Sequence, residues 1–112
     1  MRVCLISGEF PPMQGGLGDY TRELGRALAG LGHAVLVLTS ARAAGAESPP
    51  GCQFFPVIED WGWPFWRAAD AFLARQRPDV VNLQYQTAAY GMKPAVNLWP
   101  WRLRLRPGPR PK

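Results

Sequence analysis

Gly15, Gly16 and Gly18 form the tightest cluster of chemically suggestive residues in this 112-residue chain. They lie in the stretch SGEFPPMQGGLGDY, Ser7 to Tyr20, which leaves an apolar run, Val3-Cys4-Leu5-Ile6, and enters a run with helical spacing. A glycine-rich turn between a strand and a helix lets backbone N–H groups come close to an anion, and the helix N-terminus adds favourable partial charge. The same glycines would also serve a plain tight turn, because glycine tolerates positive φ. Two familiar phosphate motifs are excluded. Gly16-Leu17-Gly18 is followed by Asp19, Tyr20 and Thr21, so G-x-G-x-x-G is not completed, and no Gly-Lys-Ser/Thr follows.

A second polar feature lies near residue 85. The run Val80-Val81-Asn82-Leu83-Gln84-Tyr85-Gln86 starts apolar and ends polar. In an open parallel sheet, ligands bind outside the carboxyl ends of the strands, so the glycine turn and this segment should face one crevice. Amides and a phenol suit sugar hydroxyls or a phosphate better than acid–base bond breaking. The competing role for them is capping strand ends.

Other catalytic constellations are missing. His33 is the only histidine, and it follows a helix stop, at the amino end of its strand. No Ser/His/Asp or Cys/His set can be assembled, and no C-x-x-C spacing or zinc-type cluster exists, so no metal is expected. Glu59 and Asp60 are adjacent, and neighbours on an extended segment point in opposite directions. Glu9 and Asp19 could face each other across the crevice, or serve as a turn residue and a helix N-terminal charge. Trp61, Trp63 and Trp66 at a helix start read as core and interface rather than a carbohydrate platform.

The elements that must position these residues follow from periodicity. Residues 2–7 read as a strand apolar on both faces, which suits the interior of a parallel sheet. Leu17, Tyr20, Leu24, Ala27, Leu28 and Leu31 form one helical stripe, with Gly32 as its C′ stop. Ala34–Thr39 is a second strand. Residues 52–58 form a third, for which Pro56 implies an edge position or an early end. A helix over about 64–77 leads to the strand at 80–86. A short helix within 92–100 should be ended by Pro100. The order β-α-β-β-α-β predicts an α/β fold, a partial Rossmann-like parallel sheet with flanking helices.

Length allows one small domain. The net charge of +5 is not spread over the fold: residues 102–112 hold five of the 13 basic residues and no acid, which leaves 8 basic and 8 acidic residues before them. The chain therefore divides into a domain at 1–101 and a basic Pro/Arg-rich tail at 102–112, with disorder expected in the tail. No nucleic-acid partner is expected, since only the tail argues for one. Cys4 and Cys52 read as buried reduced thiols. No signal peptide and no membrane span are evident, which suggests the cytoplasm and leaves only peripheral membrane contact open.

The stretch GEFPPMQGGLGDY, the helix after it and the junction LGHAVLVLT together resemble the opening of the family 4 glycosyltransferases, retaining sugar-nucleotide enzymes of the two-domain GT-B fold. RPDVVNLQYQTAAYGMKPAVNLWP resembles the fourth strand and following helix of a bacterial subset. The resemblance covers about residues 1–101. It implies the N-terminal half-domain of a GT-B fold, which holds mainly the acceptor. It also implies donor diphosphate contact through backbone amides at Gly15 and Gly16, with Gly18 opening the helix. Glu9, Asp19, Tyr20, Gln84, Tyr85 and Gln86 become acceptor-side candidates. The partners implied are a nucleotide sugar, as co-substrate, and an acceptor, with no metal or other cofactor. The sequence departs from that pattern where a fifth strand should begin, and the donor-binding domain is missing, so the chain alone is expected to be inactive. The alternative reading is a non-catalytic α/β module that binds a phosphate, a nucleotide or a partner protein.

Overall fold

The computed structural model describes residues 1–8, 16–45, 48, 50–84, 95–105 and 111. The side chains of residues 16–19, 96, 97, 101, 102 and 105 lie outside that description. Four strands, β1 (Arg2–Ser7), β2 (Ala34–Ser40), β3 (Cys52–Ile58) and β4 (Val80–Gln84), form one sheet in the order β3-β2-β1-β4. Every pairing is parallel. Helices α1 (Gly16–Gly30), α2 (Pro64–Gln76) and α3 (Ala95–Leu105) complete the α/β fold.

Strand alternation sorts the apolar residues onto two faces. Val3, Leu5, Val35 and Val37 turn toward α1, where Leu24 and Leu28 pack on them. Cys4, Ile6, Leu36 and Leu38 turn toward α2 and α3, where Phe65, Ala69, Phe72 and Trp99 meet them. The second face is the larger and more aromatic. Phe65 and Trp99 stand edge to face with centroids 5.3 Å apart, as do Phe55 and Phe72 at 5.0 Å. Each such buried ring contributes roughly 2–3 kcal/mol by area alone. Cys4 and Cys52 are free thiols, and burial pushes the Cys4 thiol up to about 12. Cys4 is therefore protonated and inert near neutral pH.

The sheet and its caps follow the sequence closely. Gly32, with φ +93°, ends α1: its N–H reaches the Ala29 carbonyl, and that of His33 reaches the Leu28 carbonyl, the bond pair of a Schellman stop. β3 lies at the sheet edge as Pro56 requires, and its register against β2 slips next to that residue.

Two expectations fail. Leu24 and Leu28 of the expected α1 stripe pack on the sheet, but Tyr20 and Leu31 are 58% and 76% exposed, Ala27 is exposed as well, and Thr21 and Gly25 are buried instead. The cause is close approach at Gly25. A Cβ there would stand 3.3 Å from Cys52 Sγ and 3.6 Å from Leu5 Cδ1, so the helix rolls its smallest residue onto the sheet. Pro100 does not end α3, which runs on to Leu105. A proline inside a helix costs about 3 kcal/mol. Here it is exposed, while its neighbour Trp99 is buried and Leu103, one turn on, packs on the same core. Trp66 Nε1–H donates to the Ala95 carbonyl at 2.7 Å, and Trp99 Nε1–H to Asp70 Oδ1 at 3.1 Å, which together fasten α3 to α2. Packing overrides the local preference.

Candidate functional site

The strand order carries the site. From β1 the chain goes through α1 to β2 and then outward to β3, whereas β4 lies on the other side of β1. The winding reverses between β1 and β4, and such a reversal opens a crevice beyond the carboxyl ends of the two strands. Ser7 and Gln84 are register partners at those ends.

The rim of this crevice is built from small, uncharged polar residues. Ser7 and Thr39 are fully buried, and Thr39 Oγ1 donates to the Ser7 carbonyl at 2.7 Å. That bond fixes the end of β1, from which the glycine turn departs. Ser40 Oγ accepts from the Arg42 N–H at 3.2 Å and caps a short 3₁₀ turn over Ala41–Ala43. Gln84 is buried, and its Nε2 donates to Asn82 Oδ1.

The residues singled out from the sequence distribute as follows. Gly16 is the first residue of α1, and Gly18 and Asp19 lie in its first turn, so the helix opens two residues earlier than Gly18. Tyr20 is exposed on the same helix. Gln84 ends β4 beside Ser7. Glu9, Gly15, Tyr85 and Gln86 lie outside the described residues. Ser7 and Gln84 thus meet as register partners, and α1, starting at Gly16, is the next described element after β1.

The remaining polar groups are placed elsewhere. His33 sits at the amino end of the sheet with Nδ1 3.4 Å from the Met1 amino group. Asp60 Oδ1 accepts from the Gly62 N–H at 2.7 Å, a turn bond before α2. Trp61 is buried, Trp66 half-buried and Trp63 exposed, with Trp63 and Trp66 edge to face at 5.0 Å. Among the described residues no three His, Cys, Asp or Glu side chains gather as a metal site, and no helix is long and apolar enough to cross a membrane.

Thr39 and Ser40 were not legible as site residues. Their hydroxyls close an apolar strand and look like ordinary strand-end residues until the register sets them beside β1. What the rim offers chemically is hydrogen bonding: hydroxyls, one carboxamide and the N-terminal N–H groups of a helix. Among the described rim residues none is a proton-transfer group.

Over residues 15–108 the chain matches the family described as Glycosyl transferase 4-like domain. No curated protein and no solved structure matches it.

Proposed function

The chain belongs to the glycosyl transferase 4-like family, and from that premise we propose that it supplies the acceptor side of an enzyme that moves a sugar from a nucleotide sugar to an acceptor with retention. The observation that carries this reading is the register pairing of Ser7 with Gln84 at the point where the winding of the sheet reverses. A helix that begins at Gly16 can present its first N–H groups to a diphosphate. In this reading Gly15, Gly16 and Gly18 line that approach. Glu9, Asp19, Tyr20, Gln84, Tyr85 and Gln86 hold the acceptor. The leaving diphosphate and the oxocarbenium-like sugar are stabilised by positioned dipoles, with no metal and no cofactor beyond the donor. The reaction is placed in the cytoplasm.

Among the described residues, Arg42 on the turn capped by Ser40 is the cation beside this rim. In this reading turnover also needs a donor-binding body facing this one, and the chain by itself binds a diphosphate weakly and does not transfer sugar. The absence of a general acid or base among the described rim residues also favours a second reading, a small module that binds a nucleotide or phosphate without chemistry. The two readings part on a titration of the full chain with uridine, guanosine and adenosine diphosphates and their glucose conjugates, followed by amide chemical shifts. Saturable shifts at Ser7, Gly16 and Gln84 that are larger for a sugar conjugate than for the bare diphosphate support the transferase reading. Shifts that are indifferent to the sugar favour the module. If no ligand moves these amides, both are wrong.

A further inference from the structure

The layer formed by α2 and α3 exposes apolar side chains that the sheet does not use. Trp63 and Leu98 are 55% and 44% exposed. A chain of contacts joins them: Trp63 stands edge to face with Trp66, Trp66 Nε1–H donates to the Ala95 carbonyl, and Leu98 follows Ala95 by one turn. Helix α3 is apolar on two sides. Ala95, Trp99 and Leu103 pack in the core. Leu98 lies outside it, and positions 101 and 105, a tryptophan and a leucine, follow at spacings of three and seven on the same side of the helix.

The same layer is basic. Arg67 and Arg75 on α2, Arg77 at its end and Arg104 on α3 are exposed. The two acids within it are engaged by the fold: Asp70 accepts from Trp99 Nε1–H, and Asp79 from the Arg2 N–H. The exposed acids Glu59 and Asp60 come before the layer, in the turn that leads to α2. After Asp79 the chain has no acid, while Lys93 and the five basic residues of 102–112 all follow it. On the other side of the sheet α1 exposes both signs, with Glu23 between Arg22 and Arg26.

We infer that the α2–α3 layer docks on an anionic phospholipid bilayer, with Trp63 and Leu98 entering the interface and the arginines meeting lipid phosphates. Cations alone would suit any polyanion. An aromatic and aliphatic ridge set among them suits a bilayer, where such side chains sit at the level of the headgroups. Contact through one face of the sheet leaves the rim at the carboxyl ends of the strands uncovered. The inference rests on this surface and is independent of the proposed activity.

Flotation of the full chain with vesicles tests it, with circular dichroism to confirm that each variant is folded. The wild type should float with vesicles of equal parts phosphatidylcholine and phosphatidylglycerol, and not with phosphatidylcholine alone. Replacing Arg102 and Arg104 by glutamine should weaken binding by roughly fivefold per arginine. Trp63→Ser and Leu98→Ser should each weaken it by roughly fivefold with no change of charge. The matching pair Arg22→Gln and Arg26→Gln should leave it unchanged, since charges on the far side of the sheet lie beyond a screening length of about 8 Å. A wild type that ignores the anionic vesicles overturns the inference. So does an equal loss from the α1 pair, or full binding by both serine variants. Tighter retention on duplex DNA than on the anionic vesicles, at equal phosphate concentration, overturns it in favour of a nucleic-acid contact.

Discussion

The two ends of the parallel sheet are built from different chemistry. At the amino end the chain closes on itself. Arg2 and Asp79 exchange reciprocal bonds, the Arg2 N–H to Asp79 Oδ2 at 2.8 Å and the Asp79 N–H to the Arg2 carbonyl at 2.8 Å. The Arg2 guanidinium reaches the Gln76 carbonyl and its side-chain oxygen at 3.0 and 3.2 Å. These Arg2 and Asp79 donors all bond to partners more than 70 residues away in sequence. At the carboxyl end stand Ser7, Thr39, Ser40 and Gln84, with the helix start of α1 close in sequence. One end uses charge to hold the fold, and the other carries the neutral polar groups to which the proposed function assigns recognition. Stability and recognition are thus separable, and substitutions can show whether they truly are.

The largest effect should come from breaking the amino end. Replacing both Arg2 and Asp79 by alanine removes the Asp79 carboxylate bond and the two guanidinium bonds, leaves the Asp79 N–H bond to the Arg2 carbonyl in place, and should cost about 2 kcal/mol of stability in denaturant unfolding. Ligand affinity of the fraction that remains folded should be unchanged. A double variant that unfolds with wild-type midpoint, or that loses affinity while folded, would break the comparison.

The middle of β1 belongs to neither end, and its titration probes the sheet as a unit. The Cys4 thiol is raised from 9.0 to about 12 by burial, so the folded chain holds this proton more tightly than the unfolded chain. That contribution is complete below pH 9 and is lost as pH rises toward 12, at about 1.4 kcal/mol per pH unit. Comparison with Cys4→Ala isolates it from other alkaline titrations. Identical pH slopes for the two proteins would mean that Cys4 is not shielded as the packing indicates.

Gly16→Asp should separate recognition from stability by sign. A carboxylate in the first turn of α1 favours the helix dipole by about 0.5 kcal/mol, yet repels a diphosphate at the same N–H groups. Roughly a tenfold loss of nucleotide affinity with an equal or higher unfolding midpoint is expected. Equal affinity would remove the anion role from this turn.

Much of this arrangement could be read from residue order alone. The alternation of the four strands, the stop at Gly32 and the edge position imposed by Pro56 are local or nearly local effects, and they survive in the fold. β4 likewise reaches Gln84, which pairs with Ser7 at the end of β1. The errors share one cause, which is packing between elements distant in sequence. Nothing near Gly25 announces that Cys52 and Leu5 will press against it. Nothing near Pro100 announces that Trp99 will be buried between Phe65 and Asp70. For the same reason Thr39 was invisible as a rim residue, since its role exists only once β2 lies beside β1.

Thr39 gives the smallest and most discriminating test. Valine keeps its shape and β-branching but removes the donor that reaches the Ser7 carbonyl inside the rim. Loss of one buried hydrogen bond of this kind costs about 1 kcal/mol, and Thr39→Ser, which keeps the hydroxyl, should recover most of it. The amino-end variants change stability alone. Thr39→Val should change two quantities, because the carbonyl it releases belongs to the last residue of β1 and the glycine turn starts from there. A modest drop in nucleotide affinity should accompany the loss of stability, and serine should restore both together. If valine lowers stability and leaves affinity untouched, the Thr39–Ser7 bond is only a strand-end fastening. The carboxyl rim would then resemble the amino end more than its chemistry implies.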